Sequence, residues 1–487
     1  LGRMLAASKL TTMSASMSRA LVSRFSTMNP MAEAKRAEEI RNVLDSVIEP
    51  YTNLPLKKLN WVKNIKPTER GVSFDMEMIS NAYPKYDELS MACRDALRSL
   101  TWLNPMEVNI NAKSQRPSAM VTDRHNKIEN LQHVSNIIAV SSCKGGVGKS
   151  TIAVNLAFAL QQMGGRVGIL DCDIFGPSLP ILLHHENDQI LAYNEKTWLP
   201  FKLHDLLCMS FGWLSNNSSS AIMRGPMVMG IVEQILNNTL WGDLDYLILD
   251  LPPGTGDVQL SLCQKLSLSG SVIVTTPQIL SLADTEKGIR MFSKLRVPVN
   301  AVVHNMAYFK CEHGTVYHPF GTVNQNALQK KFAIPNAFEL PIDLALSKSD
   351  ELPVMCEHPE TPIADTFTNI AESIVRDMVR RRYIRKTEYE VSFKKDDGIV
   401  MRKISPTAAE EIKMSPRDLR LRCGCAKCVD EFTGKKLLKD SDVPMDVVPT
   451  NIDYEGNYGI SVQWSDGHGT SVYPYDKMEK LFKEFQH

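Results

Sequence analysis

Short apolar segments alternate with longer amphipathic ones through the middle of the chain. Ile137–Val140 is a continuous apolar run, typical of a strand buried on both faces. A glycine-rich loop and a helical pattern over Ser150–Gln162 follow it. The alternation predicts further strands over Val167–Leu170, Tyr246–Leu249, Val272–Thr275 and Ala301–Val303. Residues 134–386 are therefore predicted to form an α/β domain, with a parallel sheet covered by helices on both faces.

The segments on either side of this block have different patterns. Residues 33–113 combine helical spacing of apolar residues with an alternating strand pattern, which predicts a small α/β domain. Residues 114–133 are polar and charged and predict a linker. Residues 387–487 are rich in strand signals, and Asp466-Gly467 follows one of them as a hairpin turn signal. They predict a mostly-β C-terminal domain.

The first 32 residues contain basic residues and no acidic one, and Ser, Thr, Met and Ala dominate them. Organelle transit peptides have this composition, so residues 1–32 predict a leader, with a disordered tail as the alternative. Over the whole chain of 487 residues, Lys+Arg and Asp+Glu each number 55. This balance gives no reason to expect a nucleic-acid partner. No run approaches the ~20 apolar residues of a membrane helix, so no membrane span is expected.

A phosphate-binding loop is predicted between the first buried strand and the first helix of the central domain. It reads Cys143-Lys144-Gly145-Gly146-Val147-Gly148-Lys149-Ser150-Thr151, and a strand–loop–helix context is what this motif requires. Glycines let backbone N–H groups approach phosphate oxygens, and the helix N-terminus adds partial positive charge. Residues 144–151 are expected to bind ATP, with Lys149 at the β- and γ-phosphates and the Ser150 hydroxyl on Mg²⁺. Cys143 takes the place of the usual first glycine, and Lys144 adds a second lysine.

Two carboxylates are expected at the same edge of the sheet as this loop. Asp250 ends the strand pattern that begins at Tyr246, and we expect it beside Mg²⁺. Asp173 follows the strand Val167–Leu170, where it could orient the attacking water or merely cap the loop. The segment Leu251–Asp257 carries prolines and glycines and is expected to switch with the γ-phosphate.

Three of the ten cysteines form a CxCxxC pattern. Cys423, Cys425 and Cys428 are so close in sequence that, in a reducing compartment, they indicate a metal rather than a disulfide. Zinc accepts three cysteines and one histidine, and His468 follows downstream. An iron–sulfur cluster on the same cysteines, or no metal, are the alternatives.

The motifs of residues 134–375 resemble those of the Mrp/Nbp35 (ApbC) family of P-loop ATPases. Besides the phosphate loop, they are Asp173–Ser178, Arg224–Met227 and Asp250–Asp257. Members of this family are iron–sulfur cluster carriers of the deviant Walker A group. The resemblance implies an ATPase that works as a homodimer, with Lys144 reaching the nucleotide of the partner subunit and Asn305 near the adenine.

The flanking domains extend the resemblance to nearly the whole chain after the leader. Residues 35–113 look like the MIP18 (DUF59) fold, and the C-terminal domain looks like a DUF971 domain. The motifs of the latter are Asp430–Gly434, Gly456–Tyr458 and Trp464–Gly467. This domain order resembles that of the plastid high-chlorophyll-fluorescence scaffolds, which implies delivery of [4Fe–4S] clusters to apo-acceptor proteins. Similar DUF971-like domains bind zinc through CxCxxC and a Gly-His, which favours structural zinc on Cys423, Cys425, Cys428 and His468.

The expected cluster ligands depart from the pattern of that family. Its CxxC motif after Asn-Met would supply two thiolates per subunit, but here Cys311 is followed by Gly314 in the second position. Cys311 is therefore the expected iron–sulfur ligand. His313 is a further candidate, because imidazole ligates some clusters. Cys143, at the mouth of the phosphate loop, is another. For both cysteines a thiol without metal is the alternative.

Two other functions are compatible with these patterns. A switch or positioning ATPase of the ParA/MinD type shares the fold without carrying a cluster, because fold alone does not fix function. An adaptor stabilised by zinc and switched by ATP is the other. For the compartment, the leader favours the mitochondrial matrix and the family resemblance favours the plastid stroma.

Overall fold

The computed structural model describes most of the chain from Pro30 onward. The described residues are 30–115, 129–194, 196–214, 225–254, 256–295, 297–322, 328–329, 332, 334–346, 352–383, 389–395, 397–404, 409–424, 428–429, 436–455, 459–469, 471–474, 478, 480–481 and 484. The predicted leader lies outside them, apart from residues 30–32. The structure divides into two compact units between Met378 and Val379.

The first unit begins with a small α/β domain. Its helices are α1 (Pro30–Asp45), α2 (Leu56–Leu59) and α3 (Tyr86–Leu97), and its strands are β1 (Val62–Pro67), β2 (Val72–Met78) and β3 (Val108–Ser114). Strand β2 is central, because it pairs antiparallel with β1 and in parallel with β3. Helix α1 buries Ile40 and Leu44, and α3 buries Leu89 and Leu97. The prediction of a small N-terminal α/β domain is confirmed.

The rest of the first unit is built around a nine-stranded sheet. Its strands and a separate hairpin (β6 and β7) are β4 (Val134–Ser141), β5 (Val167–Asp171), β6 (Ala192–Asn194), β7 (Thr197–Trp198), β8 (Phe201–Leu203), β9 (Leu206–Ser210), β10 (Leu244–Asp250), β11 (Gly270–Thr275), β12 (Val299–Lys310), β13 (Val316–Tyr317) and β14 (Asn336–Pro341). Its helices are α4 (Lys149–Gln162), α5 (Leu179–Leu182), α6 (Gly225–Asn238), α7 (Asp257–Lys265), α8 (Ile279–Lys294), α9 (Val354–Glu357) and α10 (Pro362–Tyr383), the last of which continues into the first residues of the second unit.

The strand order of this sheet is β13-β12-β11-β4-β10-β5-β9-β8, with β14 also beside β12. Every residue of β4, β10 and β11 is buried, because helices cover both faces of a parallel sheet. The predicted α/β architecture is confirmed, and the sheet is mixed but mostly parallel. Strands β8 and β13 pair antiparallel, because short turns connect them to their neighbours and parallel pairing needs a long crossover.

The second unit is rich in β-structure, as predicted. Its strands are β15 (Tyr389–Lys394), β16 (Gly398–Ile404), β17 (Ala409–Met414), β18 (Pro449–Glu455), β19 (Gly459–Trp464) and β20 (Ser471–Pro474), and its helix is α11 (Pro416–Leu421). The strands form two antiparallel three-stranded sheets around one apolar core that includes Met401, Val462 and Tyr473. The predicted hairpin turn lies between β19 and β20, with Gly467 at a φ of 79°. Across the described parts of both units, every helix is too short or too polar to span a membrane.

Candidate nucleotide and metal sites

The predicted phosphate loop joins β4 to α4 at the carboxyl edge of the sheet. Gly146 has a φ of 76° and Gly148, which caps α4, has a φ of 87°, conformations that residues with a side chain rarely adopt. A Cβ at Gly148 would collide with the amide of Asn305. A Cβ at Gly145 or Gly146 would meet no heavy atom within 4 Å. The loop thus exposes its backbone at a helix N-terminus, an arrangement that binds phosphate.

Lys149 and Asp250 face each other at the base of this loop. Lys149 is 7% exposed, and its ammonium forms an ion pair with the carboxylate of Asp250. Its Nζ also lies 3.3 Å from Oγ of Ser150, and Thr151 follows in the first turn of α4. Strand β10 pairs with β4, so its last residue reaches the start of α4. The structure thus brings together the lysine, hydroxyl and carboxylate that were predicted to serve phosphate and Mg²⁺.

A further carboxylate, Asp171, lies beside Asp250 at the end of β5. The two residues are opposite each other in the pairing of β5 with β10. Asp171 is buried, and it accepts hydrogen bonds from the N–H of Ser178 at 2.9 Å and the hydroxyl of Ser210 at 3.1 Å. Burial, and next the charge of Asp250, raise the pKa of Asp171 to about 7. Burial also raises the pKa of Asp250, against the opposing charge of Lys149.

The sequence motifs predict no role for Asp171. The signal that could have found it is an acidic residue at the end of an otherwise apolar strand, since such strands end at the same edge of a parallel sheet as the phosphate loop.

Asp173 lies two residues after Asp171, on the loop that leads to α5. Its N–H donates to Oδ1 of Asp171 at 3.0 Å, and its own Oδ1 accepts from the N–H of Gly176 at 3.3 Å. Its charge also contributes to the raised pKa of Asp250. The structure therefore shows the capping contact and places the carboxylate near Asp250, while its action on a water molecule stays a prediction.

Asn305 lies at a bend in β12 and forms a hydrogen bond with the phosphate loop. Its Nδ2 donates to the carbonyl oxygen of Val147 at 2.9 Å, and the side chain is buried. The next residue, Met306, has a φ of 56°, and the register between β12 and β14 shifts between His304 and Tyr308. A contact of Asn305 with adenine stays a prediction.

The two residues that open the loop lie against the region of α8. The Sγ of Cys143 packs on Gly288, where a Cβ would collide with it, and burial raises the pKa of this thiol to about 11. The Nζ of Lys144 lies 3.5 Å from Oε1 of Gln278, directly before α8. Cys143 is thus a packed thiol in this structure. Its role as a cluster ligand and the reach of Lys144 to a partner subunit stay predictions.

Cys311 lies at the tip of the hairpin between β12 and β13. Its N–H donates to the carbonyl oxygen of Thr315 at 3.0 Å, and the N–H of Gly314 donates to its carbonyl oxygen at 2.9 Å. Gly314 has a φ of 81°. Backbone N–H groups, first that of His313 and then that of Thr315, hold the pKa of the Cys311 thiol below its usual value. The thiol is partly exposed and is therefore available to a partner.

A second group of thiols lies in the second unit. The Sγ atoms of Cys423 and Cys428 lie 3.5 Å and 3.8 Å from Nε2 of His468, and these three atoms all lie within 4.8 Å of one another. Cys423 follows α11, and His468 is in the turn between β19 and β20. The structure thus brings together three of the four predicted zinc ligands. Cys425 lies outside the described residues, as do Arg224 and the motifs at 430–434 and 456–458.

Three family models match successive parts of the chain. The model described as the NUBPL iron-transfer P-loop NTPase matches residues 133–375. The model described as an iron–sulfur cluster assembly protein matches residues 37–110, and that of the N-terminal part of gamma-butyrobetaine hydroxylase-like proteins matches residues 393–479. The matches follow the three predicted domains in order, and the domain boundaries stay predictions.

Individual relatives cover most of the chain. The rice (Oryza sativa subsp. japonica) protein named Fe-S cluster assembly factor HCF101, chloroplastic, is 39% identical over 461 residues, 94% of this chain and 84% of the relative. The iron-sulfur cluster carrier protein of Escherichia coli (strain K12) is 34% identical over 354 residues, 71% of this chain and 95% of the relative. Among solved structures, a nucleotide-binding protein in complex with ADP from Archaeoglobus fulgidus is 34% identical. That match covers 52% of this chain and 93% of the other, with a TM-score of 0.41.

The fold and the phosphate loop define a P-loop NTPase with an added domain at each end. The chain belongs to the iron–sulfur cluster assembly and carrier family of these NTPases, as its relatives show. This confirms the resemblance to the Mrp/Nbp35 (ApbC) family that its motifs indicated.

Proposed function

We propose that the chain is an ATP-dependent carrier that holds a [4Fe–4S] cluster and transfers it to apo-acceptor proteins. The proposal rests on the path of strand β12, which leads from the phosphate loop to Cys311. Asn305, in this strand, donates to the phosphate loop, and Cys311 follows directly after its end. An extended strand rises about 3.3 Å per residue, so the two residues are at most about 20 Å apart along one strand, on either side of the bend at Met306. A change in the phosphate loop can therefore reach the thiol that would hold the cluster.

The residues at the loop support ATP hydrolysis. The open backbone at Gly145 and Gly146 has room for phosphate oxygens, and these would draw Lys149 away from Asp250. Ser150 and Asp250 would hold Mg²⁺, which neutralises charge on the phosphates. Asp173 would orient the attacking water. Hydrolysis is proposed to be coupled to loading or release of the cluster.

A homodimer is the form that we propose for the carrier. A [4Fe–4S] cluster usually takes four thiolates, and the hairpin supplies Cys311 alone from each chain. Two hairpins would supply two thiolates, and His313 is the candidate for further ligation. A cluster with so few thiolates leaves iron open to the thiolates of an acceptor, which suits a carrier. Lys144 would then reach the nucleotide of the other subunit.

We also propose a structural zinc site in the second unit. Cys423, Cys428 and His468 fit zinc, because two buried thiols and a half-buried imidazole converge there and zinc accepts three cysteines and one histidine. Cys425 would be the fourth ligand. Zinc bound there would join the end of α11 to the turn between β19 and β20.

For the compartment we propose an organelle, with the plastid stroma favoured over the mitochondrial matrix. The basic, acid-free composition of residues 1–32 supports import. The relatives from rice and Arabidopsis thaliana are named chloroplastic. Imaging a fluorescent protein fused behind residues 1–32 tests this, and a diffuse cytosolic signal would contradict it.

Anaerobic reconstitution with iron and sulfide tests the carrier proposal. We expect about four iron and four sulfide ions per two chains, and their loss in Cys311→Ser. Cys356→Ser is the matched control, because burial raises the pKa of that thiol to about 12 and it should have no part in binding iron. Full iron content in Cys311→Ser would exclude the hairpin as the cluster site, and no iron in the unchanged protein would refute the carrier.

A further inference from the structure

Arg420 connects the two halves of the candidate zinc site. It lies on α11 and is 4% exposed. Its Nη1 donates to Sγ of Cys428 at 3.5 Å, and its Nε donates to Oδ2 of Asp466 at 2.9 Å. Asp466 lies in the turn between β19 and β20, where its Oδ1 accepts from the N–H of His468 at 3.0 Å. One guanidinium thus spans from a thiol on one side to the turn that carries the imidazole on the other.

The burial of Arg420 indicates what its second partner should be. An arginine with so little exposure needs charged or hydrogen-bonded partners to offset the loss of water. Asp466 is one such partner, also deeply buried with 9% of its side chain exposed. The other donor group faces Cys428, and a neutral thiol is a weak acceptor. A sulfur that carries negative charge as a metal ligand would complete the pairing.

The remaining described thiol has a donor of its own. The hydroxyl of Ser471 donates to Sγ of Cys423 at 3.2 Å, and Nε1 of Trp464 donates to that hydroxyl at 2.9 Å. Side chains that donate to metal ligands fix the direction of the ligands and are as much part of a metal site as the ligands themselves. Each of the two described thiols therefore accepts a hydrogen bond from a side chain that is not itself a proposed metal ligand.

We propose that Arg420, paired with Asp466, is a positioning residue that holds Cys428 and the His468 turn in the arrangement that binds the metal. This inference rests on the proposed zinc site. The planar guanidinium can donate in two directions at once, whereas the ammonium of lysine is a compact point charge on a flexible stem. Lysine at position 420 would keep the charge beside Asp466 but lose the fixed bridge to Cys428.

The test is zinc binding by the full chain with Arg420→Lys, measured by competition with a chromophoric chelator of known zinc affinity. We expect the zinc dissociation constant to rise about 10- to 100-fold. The matched control is Arg422→Lys, two residues further, whose Nη1 donates to the carbonyl oxygen of Asp418 at 3.1 Å and whose guanidinium lies 3.7 Å from Glu484. The control should bind zinc as the unchanged protein does.

Cobalt substitution separates positioning from a general effect on folding. At saturating Co²⁺, the visible d–d bands and the thiolate-to-cobalt charge-transfer band report the ligand geometry. We expect Arg420→Lys to shift or weaken these bands relative to the unchanged protein and to Arg422→Lys. Weaker binding with an unchanged spectrum at saturation would show a merely structural role and overturn the inference, and so would unchanged affinity. If the unchanged protein binds neither zinc nor cobalt, the proposed zinc site itself is wrong.

Discussion

The thiol of Cys311 in the hairpin and the thiols of Cys423 and Cys428 in the second unit differ in exposure and in their hydrogen-bond donors. Cys311 is partly exposed, follows a strand that contacts the phosphate loop, and has a pKa lowered by backbone N–H groups. Cys423 and Cys428 are buried beside His468, and donors from Ser471 and Arg420 hold their sulfur atoms. The first thiol is partly exposed and can be reached by a partner protein, whereas the two thiols of the second unit are buried.

The difference in exposure of the thiols predicts a difference in how readily a bound cluster or metal can leave. An exposed thiolate can be reached by the thiolates of an acceptor, so a cluster bound there can leave. A metal held by four protein ligands has no open position, which is how structural zinc sites differ from catalytic ones. On the proposed function, the hairpin would therefore hold the cargo and the second unit a permanent metal.

The largest effect is expected from removing one thiol of the closed site. Cys423→Ser should abolish zinc binding and destabilise the second unit, because structural zinc contributes apparent binding energies of about 10–16 kcal/mol in small zinc domains. Cys311→Ser should leave zinc content and stability unchanged. Zinc analysis measures the metal content, and near-UV circular dichroism reports the folding of the second unit. Retention of zinc by Cys423→Ser would contradict the proposed zinc site.

A large effect on catalysis, without an effect on either metal, is expected from Lys149→Ala. The ammonium contacts Asp250 at the phosphate loop, and loss of a group that neutralises transition-state charge typically costs about 10²- to 10³-fold in rate. Steady-state phosphate release measures this. Lys287→Ala is the control, since that exposed lysine on α8 pairs with Asp284. Hydrolysis at the normal rate would show that the loop is not the ATPase site.

The thiols of Cys311 and Cys143 should also differ in their rates of alkylation. At pH 8 a thiol with a pKa of about 11, such as Cys143, is ionised only to about one part in a thousand. The pKa of the Cys311 thiol, in contrast, is lower than that of an ordinary cysteine. Because the thiolate is the nucleophile, Cys311 should react with iodoacetamide at least about 100-fold faster. Its rate should level off at a lower pH than the rate of Cys143, which keeps rising towards pH 11. Mass spectrometry of each peptide checks this, and equal rates would contradict it.

The smallest effect concerns protons at the nucleotide loop to which the hairpin is joined by β12. Burial and the charge of Asp250 raise the pKa of Asp171 to about 7. Mg²⁺ bound beside Asp250 would favour the ionised form of Asp171, so the binding of Mg²⁺ should release protons near neutral pH. The affinity for Mg²⁺ should therefore rise as the pH rises from 6 to 8. Calorimetry in buffers of different ionisation enthalpy measures the release, and Asp171→Asn should reduce it.

The sequence predicts the parts of the fold and site that local patterns encode. Buried parallel strands are continuous apolar runs, so β4, β5, β10 and β11 lie close to their predicted positions. The phosphate loop is a contiguous motif, and the structure brings Lys149 and Asp250 together as expected.

The features that escaped prediction depend on residues far apart in the chain. Asp171 carries a local signal as the acidic end of an apolar strand, but its place beside Asp250 depends on the pairing of β5 with β10. The packing of Cys143 on Gly288 depends on the placement of α8, and the bridge from Arg420 to Asp466 joins residues of a helix and a distant hairpin. No local spacing reports such contacts, because tertiary packing alone creates them.

On the proposed function, ATP turnover controls release of the cluster from the hairpin. To test this, the protein is loaded with its cluster, and activation of an apo-enzyme that needs a [4Fe–4S] cluster is followed with ATP, with a non-hydrolysable analogue and without nucleotide. ATP should accelerate activation, the analogue should not, and Lys149→Ala should remove the difference. Equal rates of activation under all three conditions would contradict it.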